Sequence, residues 1–208
     1  MDAGKQTTHR RNRPRKRPGK PDKPVQVRCF AGIRFDRLEM LQGLLAELDQ
    51  LVDDPASGLR IVPPANLHIT LKFLGSVDEP QLSAIDLALK EVATGHGPLQ
   101  LDYAGVGVFK NSIWVGVVAN ESLTRLATAI DLACAELGFR REDKAYVPHI
   151  TLARFDREGK IKLSALQEKF ADRRWGEGRI NAMQLYKSET LPQGAKYSVL
   201  SQYQLQGD

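Results

Sequence analysis

The sequence predicts a mixed α+β fold, and three observations carry that prediction. Alternating apolar stretches outnumber stretches with helical spacing, and the two kinds do not alternate strictly along the chain. The tetrapeptide His-Ile-Thr-Leu stands twice, at 68–71 and 149–152, each time in strand-like surroundings. At 208 residues the chain can fill one core, or two small halves that share one. No apolar run approaches the roughly 20 residues that span a bilayer, so a membrane protein is not expected.

The elements follow in order. Residues 25–33, VQVRCFAGI, put Val25, Val27, Cys29, Ala31 and Ile33 on one face, as a half-buried strand does. Leu38, Leu41, Leu45, Leu48 and Val52 step by three and four, the stripe of an amphipathic helix. After Pro63 and Pro64 comes the strand LHITLKFLG, and Asp78 is placed to cap a helix with the stripe Leu82, Ile85, Leu89 and Val92. Residues 99–109 and 113–118 read as two strands joined by a turn at Lys110–Ser112. Asn120 then caps a third helix through Leu123, Leu126, Ile130, Cys134 and Leu137, which Gly138 ends. Pro148 precedes the strand HITLARF, and a short helix is expected around Ser164–Phe170. RINAMQLYKS and AKYSVLSQYQLQ close the chain as two antiparallel strands.

The net charge of +5 is unevenly spread. Residues 1–24 hold nine Lys or Arg and two Asp, a net +7, which leaves −2 (5 − 7) for the other 184 residues. That segment has four prolines and almost no large apolar side chains, so burial cannot offset its ordering entropy. It is expected to be a disordered basic tail preceding one domain over 25–208. The tail is either a solubilising leader or an electrostatic arm for nucleic acid. Cys29 and Cys134 both sit in apolar periodic stretches and read as small buried hydrophobes in a reducing compartment, and a cytoplasmic location is expected. No Cys or His pair has zinc spacing, and neither metal nor cofactor is expected.

The repeated tetrapeptide carries the chemistry. Given ordinary residue frequencies, such a coincidence among four histidines has odds on the order of a few in a thousand. Side chains at i and i+2 share a strand face, so His68 projects with Thr70, and His149 with Thr151. Two such strands side by side would gather two imidazoles and two hydroxyls at one cleft. Imidazole suits proton transfer near neutrality, and threonine hydroxyls can donate to the non-bridging oxygens of a phosphoryl group. A lone strand histidine is more often structural than catalytic. That bland reading holds for His9 and His96, but the duplicated Thr partner reverses it for His68 and His149.

His-x-Thr-x twice, 81 residues apart (149 − 68), resembles the signature of the two-histidine phosphoesterases. The surrounding VPPANLHITLKFLG and YVPHITLARF are similar to the RNA 2′,3′-cyclic phosphodiesterase branch, also called 2′-5′ RNA ligase-like. The likeness spans nearly all of 27–205 and leaves out the tail. It implies two pseudo-symmetric lobes of antiparallel sheet, with outer helices, around a central cleft. It implies hydrolysis of RNA 2′,3′-cyclic phosphate ends to 2′-phosphates, with His68 giving a proton to the leaving oxygen and His149 taking one from water. The expected partner is RNA with such an end, bound by a monomer.

Secondary candidates are less sharply drawn. Strict alternation keeps Lys72 on the cleft face, where it would hold phosphate. Alternation sends Arg154 to the opposite face, so reaching phosphate, as the resemblance suggests, needs the strand to end or bulge near Ala153. Phe30 reads as a base-stacking ring or a core residue, and Trp114 and Tyr146 are further possible platforms. Two other functions stay open: 2′-5′ RNA ligation or hydrolysis of another cyclic phosphodiester, and RNA binding through the tail alone.

Overall fold

The structure, a computed structural model, describes Met1 and residues 25–52, 58–155, 163–192 and 194–207. The expected basic tail lies outside the described residues, apart from Met1. The strands are β1 (Gln26–Arg34), β2 (Arg60–Ile61), β3 (His68–Asp78), β4 (Leu99–Phe109), β5 (Ser112–Val117), β6 (His149–Arg154), β7 (Arg174–Ile180), β8 (Ala182–Leu191) and β9 (Gly194–Gln204). The α-helices are α1 (Gln42–Val52), α2 (Leu82–Thr94), α3 (Glu121–Glu136) and α4 (Leu163–Phe170).

All the strand pairings are antiparallel and make one curled sheet in the order β7-β4-β5-β6-β3-β1-β8-β9, with β2 on the edge of β6. The two expected halves are therefore β7-β4-β5-β6 and β3-β1-β8-β9, fused rather than separate. They meet where Ile69 of β3 pairs with Ile150 of β6. These are equivalent residues of the two tetrapeptides. An antiparallel pairing between equivalent residues puts a local twofold axis through the pair.

Ile69 and Ile150 are buried on the helix-covered side of the sheet. There α3 packs on β3, α2 on α3 and β9, and α4 on β4. The helical stripes are close to those expected: Leu41, Leu44 and Leu48 around α1; Ile85, Leu89 and Ala93 in α2; Leu123, Leu126, Ile130 and Cys134 in α3. Asn120 caps α3, its Oδ1 accepting from the Leu123 N–H at 2.9 Å. Asp78 caps nothing. A short 3₁₀ turn at Glu79–Gln81 intervenes, and the Asp78 carboxylate accepts instead from Gln26. The residues before 181 also hold a strand, β7, whose alternate glycines Gly176 and Gly178 had hidden its periodicity. Gly178 lies so close to the Tyr103 ring that a Cβ would sit 3.1 Å from it.

Candidate active site

Each tetrapeptide begins its strand and presents its His and Thr to the same side of the sheet. The Ile69–Ile150 register, carried one residue to either side, brings Thr151 opposite His68 and His149 opposite Thr70. The two histidines are then diagonal neighbours across an antiparallel pair, a spacing of roughly 7–8 Å between backbone positions. Both histidines and both threonines line one cleft of about 490 Å³.

The rings are oriented alike. His68 Nδ1 lies 2.6 Å from the carbonyl of Asn66, and His149 Nδ1 lies 2.8 Å from that of Val147. A carbonyl oxygen only accepts, so each Nδ1 carries a proton and donates it. Each Nε2 is left without a protein partner among the described residues. Burial holds the His68 imidazole below its ordinary pKa; the Asn66 carbonyl opposes this, and His149 and Arg154 reinforce it by charge.

Aromatic walls fix both rings from behind. Phe30 lies 4.6 Å from the His68 ring and is itself stacked on Tyr186 at 4.8 Å. Tyr197 meets His68 edge-on at 5.2 Å, held by a backbone N–H that donates to Asn66 Oδ1. Around His149 the same work falls to Phe109, edge-on at 5.2 Å, and Trp114 at 5.8 Å. Phe30 is only 2% exposed, so it supports His68 rather than offering a face to a base. Tyr146 is a brace as well: its hydroxyl donates to the Thr70 carbonyl at 3.0 Å.

Beyond the threonines both strands break alternation at the same place. Between β1 and β3 the register jumps from Gly32–Thr70 to Ala31–Lys72, leaving Leu71 unpaired. Between β5 and β6 it jumps from Trp114–Thr151 to Ile113–Ala153, leaving Leu152 unpaired. Each bulge buries two consecutive side chains and returns the next one to the cleft. Arg154 therefore lines the cleft, as the bulge near Ala153 allows.

The matching bulge at Leu71 overturns the placement of Lys72. Its side chain is 2% exposed on the helix side, and its Nζ donates to Asp131 Oδ1 at 2.7 Å and to the Arg140 carbonyl at 2.6 Å. Lys72 cannot reach a ligand in the cleft. Phe73 stands there instead, 61% exposed. Strict alternation hides Phe73; Arg28, on the Phe30 face of β1, and Arg60 were not among the expected site residues, and all three line the cleft. No sequence signal marks the bulges except their recurrence at the Leu of both motifs.

Among the described residues no three His, Cys, Asp or Glu side chains converge as a metal-ligand group. Cys29 and Cys134 are free and buried, and burial pushes the Cys134 thiol up to about 11. Among the described residues no helix is long and apolar enough to cross a membrane.

The profile of the 2′-5′ RNA ligase superfamily matches residues 39–191, which takes in both motifs. The chain belongs to the 2′-5′ RNA ligase superfamily. Among its similar proteins is the RNA 2′,3′-cyclic phosphodiesterase of Archaeoglobus fulgidus, 34% identical over 84% of this chain and 98% of that one. The protein of the same name from Methanocaldococcus jannaschii is 36% identical over 70% of this chain and 84% of that one. The crystal structure of TT0787 from Thermus thermophilus superposes with a TM-score of 0.72 at 27% identity, covering 87% of this chain and 99% of that one. This chain and that structure thus share a fold, the curled sheet described above, and in this chain its two halves carry the two tetrapeptides.

Proposed function

We propose that this chain opens the 2′,3′-cyclic phosphate at an RNA end and leaves a 2′-phosphate, with His68 and His149 as the acid and base of one displacement. The observation that carries the reading is the pair of half-buried imidazoles on one cleft, each with Nδ1 tied to the carbonyl two residues before it. Such a ring keeps Nε2 for proton transfer. In the step, His149 Nε2 takes a proton from water as the water oxygen bonds to phosphorus. The P–O3′ bond breaks, and His68 gives its Nε2 proton to O3′. The Thr70 and Thr151 hydroxyls donate to the non-bridging oxygens, and Arg154 offsets their charge.

The substrate class is supported by the relatives that bear the name RNA 2′,3′-cyclic phosphodiesterase. A 5′-hydroxyl attacking in place of water would give 2′-5′ ligation with the same acid–base pair, and the superfamily's description favours testing for it. The purified protein is offered RNA with a 2′,3′-cyclic end in excess EDTA, with and without a 5′-hydroxyl RNA. A 2′-phosphate product, formed without metal, is expected. A 3′-phosphate product, or activity lost in EDTA and restored by a divalent ion, overturns the reading.

A further inference from the structure

The cleft does not stop at the four motif side chains. It runs on along β1 and β3, and its lining there has two features that the displacement itself does not use. One is Phe73, turned into the cleft by the Leu71 bulge and left 61% exposed. Its ring lies 6.0 Å from Phe30, so it has a buried aromatic base beneath it. The other is Arg28, exposed, with no ion pair or hydrogen bond to the described residues; it lines the same cleft.

The spacing is set by β1. Gly32 pairs with Thr70, Phe30 with Phe73, and Arg28 with Ser76. Arg28, Phe30 and Gly32 alternate onto one face. At about 3.3 Å per residue, Phe73 stands ~7 Å and Arg28 ~13 Å along the strand from the level of Thr70. A group held at Thr70 therefore has first an exposed ring and then an unpaired guanidinium beside it. That is the order of a cyclic phosphate, its nucleoside and the phosphodiester on the nucleoside's 5′ side. Aromatic faces take any base, and a guanidinium is matched to phosphate oxygens.

We propose that Phe73 stacks the base of the terminal nucleoside and that Arg28 binds the phosphodiester 5′ to it, so that the cleft selects a polymer end over a free cyclic nucleotide. This rests on the reading that the motif side chains hold the cyclic phosphate. The test compares a nucleoside 2′,3′-cyclic monophosphate, which lacks the 5′ phosphodiester, with a dinucleotide ending in the same cyclic phosphate. Wild-type kcat/KM is expected to favour the dinucleotide roughly tenfold or more, the scale of one charge-assisted contact.

Arg28→Gln should collapse that ratio towards one. Phe73→Ala should raise KM for both substrates, by about five- to a hundredfold, and Phe73→Leu by less. An unchanged ratio in Arg28→Gln, or an unchanged KM for both substrates in Phe73→Ala, overturns the proposal. Absence of wild-type turnover on both substrates would instead defeat the hydrolysis reading. The subsite is then decided by titrating the nucleoside and dinucleotide 2′-phosphates. Tighter dinucleotide binding that depends on Arg28 supports it, and equal binding overturns it.

Discussion

His68 and His149 have the same backbone partner geometry but different surroundings, and the difference gives each a separate test. Replacing either by Ala should lower kcat on a cyclic-phosphate RNA by roughly 10²–10⁴-fold, the usual worth of one general acid or base. Circular dichroism and thermal unfolding should be little changed, because both rings are only half-buried. A folded variant of either histidine with near-wild-type turnover would exclude the two-histidine mechanism. Assignment of acid and base needs a pH profile. Burial lowers the His68 pKa, and Arg154 lowers it further by charge. If His68 is the donor it must be protonated, so kcat/KM falls as pH rises through its pKa and a lowered pKa pulls that alkaline limb down. Arg154→Gln removes one lowering influence, so the alkaline limb should move to higher pH. Movement of the acid limb instead would make His68 the base.

At the scale of the element, the paired bulges separate what the sequence displays from what it conceals. The period-two pattern marks His68, Thr70, His149 and Thr151 as cleft residues because they precede the bulge, and the structure brings all four to one cleft. Beyond Leu71 the same pattern misplaces Lys72 and hides Phe73, since one inserted residue reverses the side chains after it until a second register shift, at Leu74, restores the phase. The helix stripes were readable because a 3.6-residue period survives small shifts, whereas β7 was not, with two glycines among its seven residues. The bulge also creates the buried Lys72–Asp131 pair, which ties β3 to α3 and, through the Arg140 carbonyl, to the segment leading to His149. Burial pushes the Asp131 carboxyl up, but Lys72, Arg141 and the Glu142 N–H outweigh it and hold it below the usual carboxylate range. Asp131→Asn leaves the Lys72 ammonium without its close counter-ion and should cost about 3–5 kcal/mol in denaturant unfolding. Lys72→Met with Asp131→Leu should recover most of that loss. The pair's contribution is complete above the unfolded carboxylate pKa of about 4 and is lost as pH falls through the lower folded value. The stability difference between Asp131→Asn and the wild type should therefore narrow only in acid. A gap that narrows near neutrality would mean that another group carries it.

At the scale of the whole molecule, charge is divided between the two parts of the sequence: +7 in residues 1–24 and −2 in the rest. The local twofold through Ile69 and Ile150 brings the two motif histidines to one cleft, and no residue before Val25 belongs to either motif. A chain beginning at Val25 should therefore keep the full-length kcat on a dinucleotide cyclic phosphate. For a longer RNA the basic segment would neutralise additional phosphates and release their counterions, a gain that shrinks as salt rises. The KM of the shortened chain for a long cyclic-ended RNA should exceed the full-length value at low salt, and the two should converge at high salt. The measurement is KM and Kd for both chains across a salt series, on short and long RNA. Superimposed curves would make residues 1–24 a passive leader. A fall in kcat on the dinucleotide would mean that they help to build the cleft.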